Sequence, residues 1–258
     1  MRKLIFLVLI FIFSACSSNY SDSNQLVEAK NGMVASAHPL ASEVGAEILK
    51  QGGNAFDAAI AVQYALAVVY PRAGNIAGGG FAVYRKANGE TGSLDFREKA
   101  PISASRDMYL DDNQNVINDL SSFGVLSVGV PGSVDGMFEL HKKLGSLPFE
   151  LLIQPAIDLA EKGFLLTRRE ADKLNDYQKD FLLANDSSTY FFKLNNWKEG
   201  DKIFLPELAK TLELIRDFGR DGFYKGSVAE FMLEEIEKQN GMITQADLDK
   251  YQSVWRNP

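Results

Sequence analysis

"GNIAGGGF", residues 74–81, sets three consecutive glycines before an aromatic residue and invites reading as a loop that cradles a phosphate. A phosphate loop follows a strand and opens a helix, whose N-terminal amides point at the anion. Here the order is reversed. Residues 55–69 upstream are almost all small or apolar and read as a buried helix stopped by Pro71; "FAVYRK" and "SLDF" downstream, joined by the turn "ANGETG", read as two strands. The residues fail as well. Gly80-Phe81 stand where a Walker loop needs Lys and Ser or Thr, and Val83 stands where a dinucleotide fingerprint needs its last glycine. Gly78 to Gly80 are therefore read as letting the backbone turn tightly and pass close to another segment, without a nucleotide.

The hairpin delivers an arginine. "SLDF" runs into Arg97-Glu98-Lys99 and is stopped by Ala100-Pro101, so Arg97 stands at a strand terminus on a two-stranded platform. Such a guanidinium can grip a substrate carboxylate through a two-pronged hydrogen bond. A structural ion pair with Asp95 or Glu98 explains the same residue equally well.

Working outward, residues 33–37 suit a short strand, and Ala41, Val44, Gly45, Ile48 and Leu49 share one stripe of a helix ended by Gly52-Gly53. Asn54 can cap the next helix, with Asp57 three residues on; a catalytic Asp57 is the alternative. Downstream, "SVGVPG" predicts a short strand and a turn, followed by helices over 134–144 and 149–162. Residues 166–205 lack a clean period and predict loops and short helices. "LPELAKTLELIRDFG" and "GSVAEFMLEEIEKQNG" restore helical spacing, and a capped helix begins near Thr244.

The 258 residues carry 27 basic and 34 acidic side chains, a formal net charge of -7 without a long run of either sign, which argues against a nucleic-acid partner. Arg2 and Lys3, the apolar stretch Leu4 to Phe13 and the small Ser14-Ala15 make residues 1–15 an export signal, too short in its apolar part for a comfortable membrane span. Cys16, the only cysteine, sits where a lipoprotein signal places its acylated residue. Lipidation there would anchor the chain to a membrane of the cell envelope; the alternative is a secretory signal with an incidental Cys. Residues 16–30 read as a polar tether and 31–258 as the folded portion. Of the two histidines, His38 precedes Pro39, and His141 lies beside Lys142 and Lys143, where it is expected to face solvent. With so few His and no spare Cys, no metal site is expected. No Ser-His-Asp elbow and no singled-out carboxylate pair appears.

"GMVASAHPLASEVGAEILKQGGNAFDAAIAVQYALAV", "AGNIAGGGF", "DFREKAP", "GVPGSVDG", "PAIDLAEKGF" and "FYKGSVAE" together resemble the N-terminal part of a gamma-glutamyltranspeptidase, or glutathione hydrolase, from about Gly32 to Tyr251. Ala77 and "QNGM" at 239–242 depart from the pattern, each lacking a glycine that relatives commonly have. The resemblance implies an α+β fold, part of the four-layer αββα sandwich of N-terminal-nucleophile hydrolases, with this chain supplying mostly helices and a few strands. It implies a precursor that cuts itself, so that a new N-terminal Thr on a small subunit attacks the gamma-glutamyl amide. That Thr is activated by its own amine, without a cofactor, and passes the acyl group to water or to an acceptor amino acid or peptide. The implied partners are glutathione or gamma-glutamyl peptides and that small subunit.

Arg97 matches the family arginine that holds the alpha-carboxylate of the glutamyl group. No catalytic residue is expected within this chain: none of Thr91, Thr167, Thr189, Thr211 and Thr244 is followed by the His-x-Ser of the family's processing site. A chain ending at Pro258 is read as a fragment, a split gene product or a truncated reading frame, inactive alone. Two alternatives remain beside it, a glutaryl cephalosporin acylase of the same fold and a non-catalytic lipoprotein that binds gamma-glutamyl compounds.

Overall fold

The structure is a computed structural model that describes residues 28–185 and 189–258. The export signal, Cys16 and the tether up to residue 27 lie outside the described residues. Residues 28–33 belong to a separate N-terminal unit and carry no helix or strand; Val34–Pro258 form the main unit.

Helix α1 (Pro39–Lys50) begins on His38, whose Nδ1 accepts the Leu40 amide at 3.2 Å, and has Pro39 in its first turn. Helix α2 (Ala55–Val69) has the capping box foreseen at Asn54 and Asp57, and it is buried on most sides, as its composition requires. It is the central helix, packed against α1, α3 (Ser133–Leu144) and α4 (Phe149–Lys162). Strands β1 (Phe81–Arg85) and β2 (Thr91–Asp95) form the expected antiparallel hairpin. Beyond α4 come β3 (Phe164–Leu165), α5 (Arg168–Asp176), α6 (Gln178–Ala184) and β4 (Lys202–Ile203). Then follow α7 (Pro206–Phe218), packed on α4, α8 (Asp221–Tyr224), α9 (Gly226–Lys238) and α10 (Gln245–Lys250), and finally β5 (Val254–Arg256).

Three readings change. No strand forms over 33–37; there the Ser36 hydroxyl instead donates to the His38 carbonyl at 2.9 Å and lies 2.8 Å from Ser42 Oγ, local bonding that competes with strand pairing. No strand precedes Pro131 either: residues Val125–Ser127 make one 3₁₀ turn, and only Val130 bridges to Lys99, because Pro131 has no amide to continue a ladder. The hairpin also has a third strand, since β5 pairs antiparallel with β2 through Ser93–Arg256, Leu94–Trp255 and Asp95–Val254. The sheet therefore joins the hairpin to the last strand of the unit, with Leu94 buried beneath it and Phe81 and Val83 exposed above.

Candidate functional site

The strip Phe96–Lys99 leaves the end of β2 and threads between two loops that lack side chains where it passes. Phe96 exchanges backbone hydrogen bonds with Gly80, and the Gly78 carbonyl accepts the amides of Gly132 and Ser133 at 2.7 and 2.9 Å. A Cβ on Gly79 would stand 2.5 Å from the Phe96 carbonyl oxygen, and one on Gly129 would stand 2.8 Å from Cβ of Glu98. Methyl groups there would collide with backbone and with the base of a side chain. The glycines of "GNIAGGGF" thus serve close backbone approach, and what they approach is the segment carrying Arg97.

Arg97 itself is 61% exposed. Its Nε lies 3.1 Å from Glu98 Oε2, its guanidinium carbon lies 5.7 Å from the Phe81 ring centre, and its amide donates to Asp95 Oδ1 at 3.1 Å. Arg256, not Arg97, pairs with the Asp95 carboxylate, at 2.8 Å. The Arg97 amide and the Arg256 guanidinium hold the Asp95 carboxyl below the usual carboxylate range, against a smaller opposing effect of burial. Of the two structural pairs open to Arg97, the structure makes the one with Glu98. A solvent-facing pair of this kind contributes about 1 kcal/mol or less, so an incoming carboxylate can displace it. Chemically, the corner offers a planar cationic fork on a fixed backbone.

The other singled-out residues are absorbed by structure. Asp57 is fully buried and accepts from the Asn54 amide at 2.8 Å, the Ser146 amide at 2.9 Å and the Ser146 hydroxyl at 2.5 Å. Burial alone would raise its pKa, but these bonds outweigh it and hold the carboxyl below the ordinary value. His38 caps α1, and its Nε2 lies 2.6 Å from Glu170 Oε1. His141 does not face solvent as expected: its Nε2 lies 2.7 Å from the Leu147 carbonyl oxygen and its ring meets Phe149 edge-on, because the chain folds back over it after α3. Thr167 and Thr244 cap α5 and α10, and the Thr211 hydroxyl donates to the Glu207 carbonyl. Among the described residues no group of three or more His, Cys, Asp or Glu is placed to hold a metal ion, and no helix is long and apolar enough to cross a membrane.

A gamma-glutamyltranspeptidase family model matches residues 41–258. The chain belongs to this family. Among curated gamma-glutamyltranspeptidase relatives, a glutathione hydrolase proenzyme of Pseudomonas sp. (strain A14) is 48% identical over 238 residues, covering 91% of this chain and 41% of the relative. The chain thus spans about two fifths of that relative's length. The solved gamma-glutamyltranspeptidase of Helicobacter pylori superposes with a TM-score of 0.87 at 48% identity, covering 90% of this chain and 67% of that one. A cephalosporin acylase from Bacillus halodurans superposes at 0.81 with 30% identity, covering 94% of this chain and 46% of that one. The fold class is accordingly the α+β class expected, a helix-rich part of the family's architecture with few strands.

Proposed function

We propose that this chain is the large-subunit portion of an exported enzyme that cleaves gamma-glutamyl amides such as glutathione, and that Arg97 holds the alpha-carboxylate of the glutamyl group. The observation that carries the reading is the Arg97 corner: an exposed guanidinium whose backbone is fixed by neighbouring strands and loops. A fork that grips one end of a glutamyl group fixes where its gamma-carbonyl lies, and orientation of that kind contributes several kcal/mol to an acyl transfer. The nucleophile comes from a small subunit, the partner this chain needs: its Thr hydroxyl adds to the gamma-carbonyl while its own amine takes the proton. That proton passes to the leaving nitrogen as the C–N bond breaks and the amine departs. Water or an acceptor amine then attacks the ester carbonyl, losing a proton to the Thr amine, and the glutamyl group leaves as the Thr hydroxyl is restored. Cys16 carries the lipid that anchors the assembly to the cell envelope; Cys16→Ala abolishes labelling by a fatty-acid probe, and unchanged labelling would refute the anchor.

The likeness to a cephalosporin acylase favours a second reading, in which the same fork holds a glutaryl carboxylate. The alpha-amino group separates the two, since a glutamyl enzyme discriminates gamma-glutamyl from glutaryl anilide.

The test of Arg97 is its replacement by Lys, which keeps the charge and loses the fork. In the complete enzyme Arg97→Lys is expected to cost about 1.5 to 3 kcal/mol of donor affinity, read as a raised KM with self-cleavage intact. Unaltered kinetics would leave Arg97 as the partner of Glu98 alone.

A further inference from the structure

Resting on the reading of Arg97 as the carboxylate grip, we infer that Tyr251 is a positioning residue that fixes the Arg97 backbone from the far end of the chain. The Tyr251 hydroxyl donates to the Arg97 carbonyl oxygen at 2.7 Å, across a separation of 154 residues in sequence. The bond matters because little holds the Arg97 side chain itself. Its guanidinium is exposed and meets only Glu98 and the face of Phe81 among the described residues, so its reach is set by the backbone it stands on.

Tyr251 is itself held from several directions. It is buried, its ring stacks on Tyr224 at 6.0 Å and 14°, and Lys99 Nζ lies 5.0 Å from its centre. Its own carbonyl accepts from Arg220 Nη2 at 2.7 Å. Arg220 Nε donates to Asp135 Oδ1 at 2.5 Å, and the other oxygen of Asp135 accepts the Ser253 amide and hydroxyl at 2.7 and 2.6 Å. The segment around Tyr251 is thereby bonded on both sides of the ring before its hydroxyl reaches Arg97. Gly132 opens the way: a Cβ there would come 2.2 Å from the Phe96 carbonyl oxygen and closer still to the Tyr251 hydroxyl. Burial first, and the Asp135 charge second, push the Tyr251 phenol up to about 12, so it stays a donor throughout the neutral range.

A neutral phenol on a locked ring supplies one directed hydrogen bond and nothing else. Its loss leaves the charge of Arg97, the sheet and the flanking backbone bonds intact but removes the bond to the Arg97 carbonyl, loosening the peptide that aims the fork. What is lost is one hydrogen bond behind the grip, a loss of binding shared by ground and transition state and so read in KM.

The experiment is Tyr251→Phe in the complete, self-cleaved enzyme, alone and combined with Arg97→Lys, with gamma-glutamyl anilide as the donor. The expected result is a KM raised roughly five- to tenfold, with kcat and the extent of self-cleavage changed less than about twofold. In the Arg97→Lys background the same substitution is expected to add less than about twofold, because the fork it aims has gone. An unchanged KM in Tyr251→Phe beside a raised KM in Arg97→Lys would overturn the positioning role and leave the grip standing. An unchanged KM in Arg97→Lys would overturn the grip and the inference with it. Full additivity of the two, or a Tyr251→Phe precursor that no longer cleaves itself, would show that the hydroxyl serves something other than the aim of Arg97.

Discussion

Asp57 and Asp135 are both buried carboxylates in the first turn of a helix, and the chain uses them in opposite ways. Asp57 is surrounded by neutral donors, from Asn54 in its own cap and from Ser146 and Leu147 in the turn after α3. Asp135 faces a cation and the chain end, Arg220 and Ser253, which lie 85 and 118 residues away. The first carboxylate finishes a helix terminus and stitches two neighbouring elements. The second gathers α3, α8 and the β5 approach around Tyr251, and through it around Arg97. A buried acid in a first turn is therefore not one kind of residue; what it faces decides whether it closes a local cap or ties remote segments into a site.

The largest expected effect falls on the remote tie. Asp135→Ala leaves the partly buried Arg220 guanidinium without its carboxylate and releases Ser253, and a loss of about 3 kcal/mol is expected. The midpoint of urea unfolding measures it; a variant within about 0.5 kcal/mol of the parent would break the distinction drawn between the two acids.

A smaller loss, about 1 to 2 kcal/mol at neutral pH, is expected for Asp57→Asn, which replaces an ionised acceptor by a neutral one beneath several donors. This substitution also sharpens the comparison through pH. The folded carboxyl titrates below its ordinary value of 3.8, so its ionised form stabilises the fold at pH above that value. The contribution is lost as pH falls through the depressed folded value. Parent and variant are thus expected to converge in stability below about pH 4. A gap that stays constant from pH 7 to pH 3 would contradict the account.

The same contrast explains what could be read from the sequence. Asn54 and Asp57 stand three residues apart, and a capping box needs nothing more distant, so α2 and its start are visible in one local stretch. The hairpin and its arginine were legible for the same reason, since β1, β2 and Arg97 lie within one short stretch. The glycine run was legible as close approach, though not as approach to Arg97 itself, because the strip it meets lies about 20 residues on. The lysine neighbours of His141 suggest solvent exposure, while its partner, the Leu147 carbonyl, comes from a turn that no periodicity predicts. Tyr251, Arg220 and Asp135 sit in three separate segments, and no spacing between them shows that they meet. Their meeting depends on β5 returning to β2, a three-residue strand too short to announce itself.

The central claim is that this chain carries the substrate grip and not the nucleophile. It is tested most directly by purifying the chain and assaying release of the chromogenic amine from a gamma-glutamyl anilide. The assay is then repeated after co-expression with the remaining part of a glutathione hydrolase proenzyme relative. The account predicts no turnover by the chain alone, because activation of the nucleophile and stabilisation of the oxyanion are each typically worth orders of magnitude, and turnover after complementation. Turnover by the chain alone would contradict it.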